Sequence, residues 1–186
     1  MARLWMVFLG ICLLWSTSEC QLVYKITNLA CEPNPKFVTN VTCKLKPINW
    51  NRSVVNMSCF LRQKLYPTIQ MQIFKKDYTN QFKPFLIDVK VKFCDVVQKK
   101  SYFTYGVIFW KIIKKFAVIK HVCPFYEDLL VPQGYLETEL LPPFPKGVFL
   151  SSLTFWSNAT IPENWGTVKI SIEAKDMVKT KKNSGL

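Results

Sequence analysis

The sequence predicts an all-β fold: an antiparallel β-sandwich of about eight strands with one amphipathic helix set into it near residues 102–118. Three observations carry this reading. Apolar and polar residues alternate with period two over several short runs. Gly, Pro, Asn and Asp separate those runs at intervals that suit hairpins. One segment alone repeats its apolar residues at helical spacing.

The elements follow in chain order. Leu22 to Thr27 reads as a first strand. Next, Phe37, Val41, Cys43 and Leu45 share one face, while Asn40, Thr42, Lys44 and Lys46 share the other. Val55, Met57, Cys59 and Leu61 point inward in a third run, with Asn56, Ser58 and Arg62 outward. Ile69, Met71 and Ile73 alternate with Gln70 and Gln72. Ile87, Val89, Val91 and Phe93 alternate with Asp88, Lys90 and Lys92, and Cys94 closes that run on the outward parity.

The helix comes next. Tyr105, Ile108, Phe109, Ile112, Ile113 and Phe116 form an apolar stripe, and Lys111, Lys114 and Lys115 lie opposite. An apolar stripe of this kind caps a sheet core; a basic amphipathic helix can also lie on lipid. Proline-rich sequence then leads back to strands over Gly134–Leu141 and Gly147–Ser157. Val168, Ile170 and Ile172 alternate with Lys169, Ser171 and Glu173 in the last run.

The first residues read as an export signal. Arg3 precedes an apolar run from Leu4 to Trp15, too short to span a hydrocarbon core of about 30 Å. Ser18 and Cys20 fit the small-residue rule, so cleavage is placed after Cys20, with Ser18 as the other choice. The expected organisation is a signal peptide at 1–20, one sandwich domain at 21–176 and a polar tail at 177–186. The expected location is secreted and extracellular, with no transmembrane span in the mature chain.

The net charge of +13 would suit an anionic partner, but the lysines come in scattered pairs rather than in one patch. Together with export, this argues against nucleic acid. Removal of Cys12 and Cys20 leaves Cys31, Cys43, Cys59, Cys94 and Cys123, an odd set. At most two bridges form and one thiol is left over. A buried Cys59 would behave as a small core hydrophobe; the alternative is an intermolecular disulfide through it. Sequons stand at Asn40, Asn51, Asn56 and Asn158, and strand parity puts Asn40 and Asn56 on outer faces, where a glycan must sit.

Catalytic patterns are absent: the chain has no G-x-S-x-G, H-E-x-x-H or P-loop run. His121 is the one imidazole, and its neighbour Cys123 reads as a disulfide partner rather than a nucleophile. Glu127 with Asp128, or Glu137 with Glu139, has the spacing of turn and strand-surface charges. The chain is therefore expected not to be an enzyme, and to need no cofactor or metal.

Several motifs stand in a familiar order. Cys43-Lys44-Leu45-Lys46 comes first, then Asn51-Arg52-Ser53, Lys83-Pro84-Phe85-Leu86 and Val91-Lys92-Phe93-Cys94. His121-Val122-Cys123-Pro124 and Gly134-Tyr135 follow. This series resembles a large insect family of secreted proteins, catalogued as domain of unknown function 1091 and similar to the ML (myeloid-differentiation-related lipid-recognition) domains. The resemblance runs from about Ile26 to Ala174. The chain departs from the family pattern at Thr79–Phe82, at Val118 and Lys120, and in having Cys59.

The resemblance implies an immunoglobulin-like sandwich whose sheets part to hold an apolar ligand. It implies paired Cys31, Cys43, Cys94 and Cys123, with Cys59 free. Trp110, Phe149, Phe155 and Trp156 are the candidates to line such a space. The function expected from it is secreted binding of a small hydrophobic or lipid-like ligand, with chemosensory ligands in that class. The alternative is a module with a solid core whose partner is another extracellular protein. A hydrolase is the remote third.

Overall fold

The computed structural model describes residues 22–98, 104–119, 122–141, 143–157 and 159–177. The export segment, Lys120, His121, the Asn158 sequon site and the tail beyond Met177 lie outside the described residues.

The strands are β1 (Leu22–Pro33), β2 (Val38–Pro47), β3 (Ser53–Leu65), β4 (Thr68–Lys76) and β5 (Phe82–Lys92). Two helices follow, α1 (Phe93–Val97) and α2 (Thr104–Phe116). Then come β6 (Val118–Ile119), β7 (Phe125–Gly134), a 3₁₀ turn (Thr138–Leu140), β8 (Gly147–Trp156) and β9 (Asn164–Asp176). They form two antiparallel sheets, ordered β1-β9-β8-β4-β5 and β2-β3-β7-β6. The fold is an all-β sandwich with a small helical insertion.

The second sheet has one strand fewer than the first, and its β6 is two residues long. Helix α2 occupies the space left there. Gly106 and Phe109 of α2 border the same small void as Ile69 and Met71 of β4 and Val89 and Val91 of β5. The helix thus lies over the inner face of β4 and β5, where a longer β6 would otherwise stand. Its apolar stripe points at the core, and Lys111, Lys114 and Lys115 are exposed.

Two disulfides tie the layers. Cys31–Cys43 joins β1 to β2, from one sheet to the other at their shared edge. Cys94–Cys123 joins α1 to the approach to β7 and so brackets α2 at both ends.

Three expectations are corrected. The strand expected over Gly134–Leu141 ends where it was to begin: β7 runs from Phe125 to Gly134, and Thr138–Leu140 is a 3₁₀ turn. Pro132 lies within this strand and is tolerated because it sits in a bulge, where the β3–β7 register slips between Val55 and Met57. Gln133 in that bulge has φ +54°, and its N–H donates to Asn56 Oδ1 at 3.0 Å.

The run through Phe93 and Cys94 stops being strand at Lys92. There the chain turns into α1, with the Phe93 N–H donating to the Pro67 carbonyl at 3.0 Å. The helix expected to run to residue 118 ends at Phe116, because Val118 and Ile119 pair with Leu130 and Leu129 of β7.

A second bulge adjusts parity in β2. Thr39 pairs with Phe60 and Thr42 with Ser58, so Asn40 and Val41 together oppose Cys59. Asn40 takes φ +52° and is exposed. The extra residue lets Val38 face inward on one side of the bulge and Val41 on the other.

Candidate ligand cavity

The inner faces of the sheets do not meet throughout. Between them lies a cavity of about 310 Å³. Met57, Cys59 and Leu61 of β3 and Leu129 and Val131 of β7 form its wall on the second sheet. Ile69 of β4, Leu153 and Phe155 of β8 and Val168 and Ile170 of β9 form the opposite wall. Helix α2 closes the side with Phe109, Ile112, Ile113 and Phe116. The alternation of each strand puts these residues on one face, which is why so distributed a set of positions makes one apolar chamber.

Aromatic rings build one end. Phe93 is only 1% exposed and meets Phe109 and Trp110 edge-on, with ring centroids 5.6 and 5.7 Å away. Phe125 lies at 5.8 Å from it in a stacked arrangement. Phe37 stacks on Trp165 at 4.7 Å and 8°. Offset and edge-on pairs of this kind add to burial and hold the rings in place. Toward the other end, Phe116 packs on Tyr135 at 4.8 Å. Lys115 Nζ bonds Glu137 Oε2 at 2.5 Å and ties α2 to the segment after β7. That bond holds the Glu137 carboxyl below the usual carboxylate range and pushes the Lys115 ammonium up.

Small side chains at Cys59 and Ala117 leave the space open. Cys59 is the free cysteine among the described residues. Burial pushes its thiol up to about 11, with the Asp128 carboxylate adding to the rise. A thiol held so firmly in the protonated form is a weak nucleophile and behaves as a small hydrophobe.

The residues singled out in the sequence are placed as follows. Phe155 lines the cavity. Trp110 does not; it packs against Phe93 from behind the wall. Phe149 is buried in a second cluster with Tyr24 and Ala174, beside Phe85 and Phe144. Trp156 stands at the end of β8 under the Lys90 ammonium, 5.6 Å from the ring centre. These three are therefore not cavity residues. Phe93, Phe125 and Trp165 form the aromatic end instead. Phe93 has the parity expected of a core position, whereas Phe125 and Trp165 lie outside the runs read from alternation.

The carboxylate pairs do not converge. Glu127 and Asp128 are adjacent in β7 and exposed, and Glu137 is engaged by Lys115. Among the described residues no three His, Cys, Asp or Glu come together to hold a metal ion. Asn40 is exposed, while Asn51 and Asn56 are partly buried. No described helix is long and apolar enough to cross a membrane.

No curated protein matches the chain. Residues 69–151, from β4 through α2 and β7 into β8, match the family model described as Protein of unknown function (DUF1091), the family whose motifs the sequence carries.

Proposed function

We propose that this protein is exported and holds a small hydrophobic or lipid-like molecule between its two sheets, chemosensory ligands being within that class. The supporting observation is the cavity itself. Its volume of about 310 Å³ is roughly twice that of an engineered apolar cavity, about 150 Å³, that stays dry and admits benzene. It falls at the lower end of the range for small-molecule sites. Water gains little in such a chamber, because the walls offer it almost no hydrogen bonds. An alkyl chain or a compact ring system loses nothing by entering. Two disulfides suit an oxidising compartment and so support export.

The test is native mass spectrometry of protein secreted from an insect cell line, followed by solvent extraction and rebinding of a fluorescent acyl probe. A co-purifying small apolar molecule, and saturable probe binding to the extracted protein, are expected. Repeated absence of both would refute the reading and favour the extracellular protein-binding alternative. Tyr78 and Leu86, exposed on the β4–β5 hairpin, are the surface that alternative would use.

A further inference from the structure

The outer face of the second sheet carries an apolar patch next to two sequons. Val118, Leu130, Ser58 and Thr42 pair across four strands, and Phe60 lies in the adjacent row between Thr39 and Asp128. Directly opposed residues share a face, so Val118, Leu130 and Phe60 stand together. They are 53%, 42% and 37% exposed. Charged residues border them: Asp128 pairs with Phe60, Arg62 follows Phe60 two positions along β3, and Lys44 pairs with Asn56.

Asn56 is on the same face of β3, two positions from Ser58 and diagonal to Leu130, a separation of about 7–8 Å. Its carbamoyl group is already oriented: Oδ1 accepts the Gln133 N–H from the bulge in β7 at 3.0 Å. An N-linked glycan leaves that oxygen unchanged, since the sugar attaches to Nδ2. Asn40 is exposed at the β2 bulge opposite Cys59, at the other side of the patch. The threonine or serine that completes each sequon is Thr42 or Ser58, itself in the patch row.

We propose that N-linked glycans on Asn40 and Asn56 are built over this face and cover Phe60, Leu130 and Val118. In each transfer, Nδ2 forms a bond to the anomeric carbon of the first N-acetylglucosamine of a lipid-pyrophosphate-linked oligosaccharide. Nδ2 gives up one proton and the lipid pyrophosphate leaves. The apolar faces of the first sugars then rest on the phenylalanine and leucine, while their hydroxyls face water. The covering keeps copies of the sandwich from associating through this face. Asn51 lies in the β2–β3 turn and takes no part in it.

The experiment is glycopeptide mapping of the full chain secreted from insect cells, together with sedimentation of glycosylation variants. Occupancy at Asn40 and Asn56 is expected. The pair Asn40→Gln and Asn56→Gln should give about a twofold rise in weight-average mass, or loss of secretion, and Asn51→Gln should not. Adding Phe60→Thr and Leu130→Thr to the glutamine pair should restore a secreted monomer. An unoccupied Asn56 overturns the proposal. So does a monomeric glutamine pair, an equal effect of Asn51→Gln, or failure of the threonine changes to rescue.

Discussion

Replacing Cys59 with leucine tests the emptiness of the cavity through the sign of one number. Cys59 faces the cavity from the middle of β3, opposite Leu129. Leucine puts three carbons where cysteine has one sulfur, a net gain of two heavy atoms. At about 0.8 kcal/mol for each buried methylene, the added burial stabilises by about 1.6 kcal/mol. Ordering the leucine side chain costs about 0.5–1 kcal/mol. The ligand-free protein therefore gains about 0.5–1 kcal/mol, a rise in Tm of roughly 1–4 °C for a domain of this size. The same leucine takes room from a ligand, so probe affinity falls. In a filled core the substitution would overpack and cost about 1–3 kcal/mol. Urea unfolding of the solvent-extracted protein, with and without probe, reads both effects. Destabilisation by more than about 1 kcal/mol with unchanged probe binding would refute the cavity as the binding site.

Three further outcomes are expected. The Cys59 thiol, raised from an ordinary 9.0 to about 11, is alkylated about a hundredfold more slowly at pH 8 in the native protein than in urea; equal rates measured by mass spectrometry would show an accessible thiolate. Replacing Cys94 and Cys123 by serine removes a closure spanning 29 residues, worth about 3.6 kcal/mol on the chain-entropy account, against about 2.8 kcal/mol for the 12-residue closure of Cys31–Cys43. Only the first pair brackets α2, so probe affinity should fall more for Cys94→Ser with Cys123→Ser than for the other pair. Asp77 at the β4–β5 hairpin pairs with Lys83 and accepts bonds from the Thr79 hydroxyl and from the Thr79 and Gln81 N–H groups. These contacts hold its carboxyl well below the ordinary 3.8. The folded state favours the charged form, so its contribution is complete above that value and is lost as the pH falls below it. Asp77→Asn should shrink the acid-induced drop in urea midpoint between about pH 5 and about pH 2.

Period-two alternation was readable wherever a strand has one wet and one dry face. β3, β4, β5 and β9 fall into this class, and inner residues of β3, β4 and β9 form part of the cavity wall. β7 hid for two reasons. Leu129, Leu130 and Val131 are consecutive apolar residues, because Leu130 faces the outer patch, and this erases the alternation. Pro132 then argues against any strand, and only the bulge that accommodates it makes one possible. Missing β7 also hid Phe125, and with it the aromatic end of the cavity. The aromatic candidates failed for a related cause. Composition identifies Trp110 and Trp156 as large apolar groups but not the wall on which each lies. That is decided by the position of α2 and by which strands pair, both set by contacts distant in sequence.

The missing strand explains why an apolar chamber exists at all. Two full sheets at the usual spacing of about 10 Å interdigitate and fill the space between them. Here the second sheet is short of the first, and a helix, far thicker than a strand, takes the vacant position. A cylinder against a flat sheet touches it along a line and leaves room on either side. Phe109 fills one flank, where the void against β4 and β5 is about 10 Å³. On the other flank lie Cys59 and Ala117, side chains too small to fill the space, and there the cavity of about 310 Å³ opens. Cys94 and Cys123 bracket the helix at both ends. On this account the size and shape of the chamber are set by α2 and the small residues beside it, rather than by the strands that give the fold its name.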